Sequence, residues 1–288
     1  MAISNSTTLN DLVGQIVSAD AQSAAYANRV MRPLVRSTAV PPGAGSIVVP
    51  RFQSLTVAGL TEGTAPTSST WSSDGVTLTP VERGVYVQIS KRALHADPFS
   101  DLAPYGEQIG RALASDEDDL ICDAVSFSTI VNEQGGGANN ITAADFLTCL
   151  GSLEAANAPQ PYFAVYHPIS WAKVRAGLDD ASAFAAVGKQ IVEGFGEGMT
   201  HMAGFVGAPY GVPTFISTSV NAVSDDANSY ANLHFSKEAI GYAYIQDIGV
   251  DVDDNVTARA MDLMGWYSGD ADELVDGYGI QCEDDING

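Results

Sequence analysis

Residues 46–92 constrain this chain more than any other stretch. Two β-type runs, Ser46–Leu60 and Gly75–Lys91, flank a tip of turn and small polar residues, Thr61–Asp74. The second run alternates at Val76/Leu78 and again at Val85/Val87/Ile89, as a strand with one buried face does. At about 3.3 Å per residue, its roughly sixteen residues extend to about 50 Å. A compact chain of this length has a radius of gyration of only about 19 Å, so the predicted hairpin is as long as the globule is wide. Pro50 and Pro80 sit inside it, and proline is tolerated in strands only at edges or bulges. A two-stranded ribbon is all edge, yet marginal alone in water. It is therefore expected to rest on a neighbouring copy, the alternative being a hairpin folded into an ordinary sheet of its own domain.

The 288 residues suffice for one large or two moderate cores, and no apolar run approaches the roughly 18 residues a membrane helix needs. The polar start, Met1–Ser6, with Arg29 as the first basic residue, carries no export signal. Three scattered cysteines, Cys122, Cys149 and Cys282, do not make a disulfide framework, and reduced thiols in a cytoplasm are expected. The net charge of −22 is unevenly spread: residues 1–92 carry +2, residues 93–189 carry −9 and residues 190–288 carry −15. So acidic a body argues against tight direct binding of nucleic acid, which needs clustered Lys and Arg. It fits a surface that stays soluble when crowded or does not adhere to DNA beside it. A slightly basic arm on an acidic body also suits head-to-tail assembly, with simple solubility as the plainer explanation.

Residues 7–31 read as an amphipathic helix with Leu9, Leu12, Val13, Ile16 and Val17 on one face and Pro33 beyond its end, followed by a basic cluster, Arg29, Arg32 and Arg36. A second, longer helix starts near Asp97-Pro98-Phe99-Ser100 and keeps helical spacing through Leu102, Tyr105, Ile109, Leu113, Leu120 and Ala124. Its middle, Asp116-Glu117-Asp118-Asp119, reads as a solvated acidic patch. Residues 140–235 look α/β: Thr142-x-x-Asp145 caps a helix, Tyr162–Tyr166 is a buried strand, Pro168–Leu178 a short helix, and a glycine-rich stretch leads to a strand at Val212–Ser217. Four strands close the chain, at Tyr230–Phe235, Gly241–Val252, Val256–Tyr267 and Glu273–Cys282.

No catalytic constellation stands out. Ser170-x-x-Lys173 matches a serine–lysine nucleophile motif but lacks its partner motifs. Asp251, Asp253, Asn255 and Asp262 echo a calcium loop, yet Val256 stands where the turn demands glycine. Gly194-x-Gly196-x-Gly198 resembles a phosphate loop only loosely and sits beside Glu193 and Glu197. His95, His167, His201 and His234 have no zinc spacing. No enzyme activity, catalytic residue, cofactor or metal is expected.

The order of elements is more specific than any one of them. An N-terminal helical arm, a long hairpin, a long acidic helix, an α/β segment and a β-rich close resemble the major capsid proteins of tailed double-stranded DNA bacteriophages, the Hong Kong 97-type fold. The local text agrees: Gly45–Pro50 and Leu60–Gly63 resemble the strand into the extended loop, Val85–Leu94 its return, and Tyr166-His167-Pro168 with Trp171–Arg175 a strand-to-helix passage in the axial domain. Gly204–Gly207 with Gly211–Phe215, and Phe235–Ile240, resemble later passages of the same fold.

The resemblance implies an α+β chain with an N-terminal arm at 1–45, an extended loop at 46–92, a peripheral domain with the spine helix at 93–137, an axial domain at 138–229 and peripheral strands at 230–288. It implies a structural protein of the virion, assembled in a host cytoplasm into hexamers and pentamers of an icosahedral head around double-stranded DNA, without sequence-specific binding. A separate scaffolding protein and a portal are implied partners, with a decoration protein as an optional one and no membrane. No lysine lies in Thr61–Asp74, so the crosslink some relatives form is not carried over. Arg51, Arg83, Lys91 and Arg92, together with Glu62, Asp116, Glu117, Asp118 and Asp119, are the candidate contacts between subunits. An encapsulin-like nanocompartment shell is the runner-up reading, and a soluble hydrolase or calcium-binding protein follows it.

Overall fold

Helix α1 (Ser6–Asn28) lies along helix α3 (Ala103–Asp123), and the two approach nearly backbone to backbone. The computed structural model that shows this describes residues 6–52, 59, 73–96, 103–133, 140–180, 202–223 and 226–285. The buried stripe of α1 is Val17, Ala21 and Ala25, four residues apart, while Ile16, expected on the apolar face, is 52% exposed. Side chains before Gln15, including Leu9, Leu12 and Val13, lie outside the described ones. Closeness explains the choice of small residues: a Cβ on Gly110 of α3 would stand 2.2 Å from the Ala21 carbonyl oxygen, and one on Gly106 would stand 2.9 Å from that of Val17. A glycine in a helix costs about 1 kcal/mol against alanine, so it is the contact that requires it. Gly110→Val is expected to lower stability by about 1–3 kcal/mol through overpacking, read as a lower thermal midpoint.

Under this helix pair lies a four-stranded sheet in the order β1 (Arg36–Ala39), β11 (Ile240–Asn255), β12 (Ala260–Glu273), β4 (Val81–Ser90). Its inner face sets Val250, Leu263, Tyr267 and Ile89 against Ile109 and Leu113 of α3. The second sheet runs β5 (Ile130–Val131), β13 (Gly279–Asp285), β10 (Asp226–Ser236), β6 (Tyr162–Tyr166), β8 (Thr214–Ile216), β7 (Phe205–Gly207), and β9 (Ala222–Val223) pairs beside β10. Phe163 and Val165 on one face of β6 join Phe215, Phe235, Met31 and Leu34 in a core. Ala164 and Tyr166 on the other face pack with Phe146 and Cys149 of helix α4 (Ala143–Ala155) and Val174 of helix α5 (Pro168–Asp180). The predicted cap holds, since the Asp145 carboxylate accepts the Thr142 N–H at 2.8 Å.

The long hairpin is divided. Strand β2 (Ile47–Phe52) pairs antiparallel with β3 (Ser73–Leu78), from Ile47 opposite Leu78 to Phe52 opposite Ser73. At Thr79–Pro80 the second run leaves the ribbon, and β4 joins β12 instead. Proline has no N–H for a ladder, and the preceding Thr79 N–H goes to the Asp270 carboxylate at 2.6 Å. The described ribbon is thus about 20 Å long rather than 50. Its base rests on its own chain, Val49 and Leu78 being buried with Val40, Ala243 and Leu274. Of the expected tip, Thr61–Asp74, Ser73 and Asp74 belong to β3 instead and the rest lies outside the described residues, as do the predicted start of α3 at Asp97–Ser100 and Gly194, Gly196 and Gly198. A short helix α2 (Lys91–Ala96), not foreseen, follows β4.

The closing strands separate between the two sheets: β11 and β12 lie in the sheet that β4 ends, whereas β10 and β13 lie in the sheet of β6. Sheet pairing therefore crosses the expected division at residue 230. Strand β12 begins at Ala260, later than expected, because Asn255 turns the chain by accepting the Ala258 N–H at 3.0 Å. Among the described residues, no helix is long and apolar enough to cross a membrane.

Candidate functional site

Where α1 ends, two arginines meet two carboxylates. The Arg32 guanidinium donates to Glu117 at 3.0 Å and to Asp247 of β11 at 2.8 Å, and Arg29 reaches the same two groups at 3.4 Å each. Glu117 is fully buried, and both arginine side chains are nearly so. The Tyr26 ring lies 4.0 Å from the Arg29 guanidinium carbon and the Tyr244 ring 4.4 Å from that of Arg32, a placement that favours the cations. Burial works against charge on Asp247, but Arg32 and Arg29 hold its carboxyl below the usual range.

Beside this pair of pairs, both oxygens of Asp118 accept backbone N–H groups, from Val30 and Met31, at 2.8 Å each. The carboxylate thereby satisfies donors just past α1. Burial nevertheless pushes Asp118 up to about 7, against the pull of those two hydrogen bonds. Chemically the cluster is a latch: fixed charges on three elements hold the N-terminal helix, the long helix and β11 as one unit.

The solvated acidic patch expected at Asp116–Asp119 is therefore corrected in its middle, since Glu117 is 0% and Asp118 3% exposed. Each residue turns a helix by about 100°, so four consecutive acids cannot all face water on a helix with one face buried. Glu117 lies four residues after Leu113 and four before Ile121, both buried; that spacing was the available signal. Asp116 accepts Arg83 at 3.0 Å and the Tyr267 hydroxyl at 2.6 Å, and Asp119 alone of the four is exposed with no such partner among the described residues.

The other candidate contact residues are placed as follows. Arg51 pairs with Asp74 directly across the ribbon at 3.1 Å, and Lys91 pairs with Asp254 at 2.6 Å. Arg92 is exposed and forms no ion pair among the described residues, and Glu62 lies outside them. Exposed pairs of this kind are each worth about 0–1 kcal/mol, so they leave the arginines and lysine free to exchange partners.

The residues considered for catalysis or metal that are described make structural contacts. The Ser170 hydroxyl is buried and has no hydrogen-bond partner among the described residues, while Lys173 donates to Asn140 at 2.5 Å, to Asp284 at 3.1 Å and to the Asp285 carbonyl. The lysine thus ties α5 to the C-terminal strand. Asp251 accepts the Trp266 indole N–H at 3.0 Å, and Asp262 accepts Gln88 at 2.8 Å and Asn255 at 3.0 Å, all along strands. His234 is buried beside the Tyr166 hydroxyl at 2.5 Å, and burial pushes its imidazole down to about 3. His167 stacks on Tyr230 with ring centres 3.6 Å apart. These are packing and alignment roles.

With an N-terminal helix, a two-stranded ribbon, a long helix over a four-stranded sheet and a second mixed sheet, this chain has the Hong Kong 97-type capsid fold. No known protein family matches it by sequence, and no curated protein sequence does. Among solved structures, the capsid of Ralstonia phage GP4 superposes with a TM-score of 0.66 at 10% identity, covering 88% of this chain and 87% of that one. The capsid of the cyanophage P-SCSP1u gives 0.62 at 15% identity, over 88% and 87%. A virus-like particle from Pyrococcus furiosus gives 0.60 at 10% identity, over 93% and 98%.

Proposed function

We propose that this chain is the subunit of a closed protein shell, the major capsid protein of a tailed bacteriophage. The observation that carries the reading is the match of one architecture along nearly the whole of this chain and of chains from phage capsids. A shell subunit needs several heterologous contacts that close into rings. The ribbon, the outer sheet face and the second sheet supply separate surfaces for them. The latch supports this use, because it fixes the N-terminal helix rigidly to the body.

In this reading, copies form hexamers and pentamers, and the exposed Arg92 and Asp119 take partners across subunit boundaries. Arg51, Arg83 and Lys91 exchange or share theirs. Residues 1–45 act as the arm, the ribbon as the extended loop, α3 as the spine and the second sheet as the axial part. Double-stranded DNA is the content, with a scaffolding protein and a portal as assembly partners. The acidic body keeps DNA from adhering to the wall. A cargo-holding compartment is the same kind of shell with different content, and no observation favours it here.

Negative-stain electron microscopy of the expressed chain, alone and coexpressed with neighbouring genes of its source, tests the proposal. Closed shells of uniform size, on the order of tens of nanometres as several-hundred-copy assemblies of interfaces of about 1,600 Å² would be, are the expected result. A monomer under every condition, scaffolding included, would reject it.

A further inference from the structure

Sheet edges with unpaired N–H and C=O groups are templates for another strand, and folded proteins keep them short or covered. Most described edges here obey: β5 and β7, which end the second sheet, have two and three residues, β1 has four, and β2 carries Pro50. Strand β4 does not. It runs ten residues, pairs only with β12 among the described strands, and presents Val81 at 61% and Tyr86 at 56% exposure. Helix α3 lies mainly over β12 rather than β4. A groove of about 430 Å³ remains beside the edge, lined by Arg83, Gly84, Val85, Ala112, Leu113 and Asp116.

We infer that this edge pairs with the same edge of a second copy, antiparallel about a two-fold axis through Val85. An antiparallel strand edge is complementary to itself when reversed, which is the requirement of an isologous contact. Continuing the sheet with its faces preserved sets odd residues opposite odd ones and even opposite even. With Val85 on the axis, Gly84 of one copy faces Tyr86 of the other, Glu82 faces Gln88, Arg83 faces Val87 and Val81 faces Ile89.

That register solves what the lone chain leaves open. Gly84 has Trp266 opposite it on β12 and Met264 beside it but stays exposed on its outer side. There the Tyr86 ring of the second copy lies over it, as aromatic rings cover edge glycines, and the exposed Tyr86 ring gains a surface. Val85 and Val87, half-buried in one copy, enter the groove of the other, and exposed Val81 meets Ile89. No like charges fall opposite each other. A second copy is the occupant because both halves of each pairing, glycine with tyrosine and groove with valines, are present on the same strand.

Disulfide trapping in the full chain tests the register. All three native cysteines are buried, so an introduced one reports alone. Opposite residues in antiparallel pairs have Cα atoms about 4.5–5.5 Å apart, within disulfide reach. Val85→Cys should give a covalent dimer with oxidised glutathione as oxidant. Glu82→Cys should not, since it lies about 20 Å from its own mate. Combining Glu82→Cys with Gln88→Cys on the exposed face should restore the dimer without touching the core. Dimer from Val85→Cys and from the double variant supports the pairing; its absence from the double variant, or a dimer from Tyr86→Cys in its place, overturns it. The outcome is separable from shell formation. Shells without the crosslink remove only this pairing, and the crosslink without shells under every condition, scaffolding included, removes only the capsid reading.

Discussion

Replacing Glu117 with alanine is expected to destabilise the chain by about 3–5 kcal/mol, the range for removing one member of a buried ion pair. The wild-type carboxylate is fully buried between Arg29 and Arg32. Without it, two nearly buried guanidiniums share only Asp247, whose side chain is 35% exposed. Most of the loss comes from cations left desolvated, not from the pair's own net worth. Asp247→Ala should therefore cost far less, about 1 kcal/mol, as for a partly exposed pair, because Glu117 still faces both arginines. Urea midpoints of the two variants measure the contrast. Limited proteolysis should cut Glu117→Ala first around residues 15–30, where α1 loses its anchor. Equal effects of the two substitutions, or an effect of Glu117→Ala within about 0.5 kcal/mol of zero, as for an ordinary surface change, would show that the latch does not hold the helix.

Much of this architecture was legible from local pattern. Tyr162–Tyr166 and the helix start at Pro168 come out as read, since a short apolar run ending at proline admits few alternatives. The Thr142–Asp145 cap was equally plain. What local pattern missed depends on partners far along the chain. The run Gly75–Lys91 looks continuous, but Asp270, nearly two hundred residues away, takes the Thr79 N–H and so helps decide where the ribbon ends. The separation of the last four strands between two sheets is likewise a matter of pairing, which alternation does not encode. The latch was half visible. Arg29, Arg32 and the acidic run were singled out, but reading the acids as solvated ignored helical geometry, and Asp247 lies in a strand with no sequence link to either. Ile16 failed for a different reason: the buried stripe is Val17, Ala21 and Ala25, and Ile16 lies about 100° around the helix from it.

Two buried titrating groups should oppose each other between about pH 6.5 and 4, leaving wild-type stability nearly flat there. His234 has its folded value pushed by burial to about 3, below the ordinary 6.5. As pH falls through 6.5 the unfolded chain takes up this proton and the folded chain does not, so stability falls by up to about 1.4 kcal/mol per pH unit. Asp118 behaves oppositely. Its folded value is raised to about 7 by burial, with Glu117 and Asp119 adding to the rise, from an ordinary 3.8. Here the folded chain binds the proton first, and stability rises as pH falls from 7 to about 4 with a slope of similar size. Asp247, held low by Arg32 and Arg29, loses its contribution only below that window. His234→Gln keeps a partner for the Tyr166 hydroxyl and removes the first slope, so its stability should increase toward acid. Asp118→Asn keeps one acceptor oxygen beside the Val30 and Met31 N–H groups, loses the other, and removes the second slope, so its stability should decrease toward acid. Over two pH units the two variants should diverge by about 5 kcal/mol, measured as urea unfolding free energies of the unassembled chain at pH 6.5, 5.5 and 4.5. Absolute offsets from lost packing do not enter, because only slopes are compared. Parallel curves for wild type and both variants would mean that neither group changes its protonation on folding, and that the buried cluster is solvated more than its geometry implies.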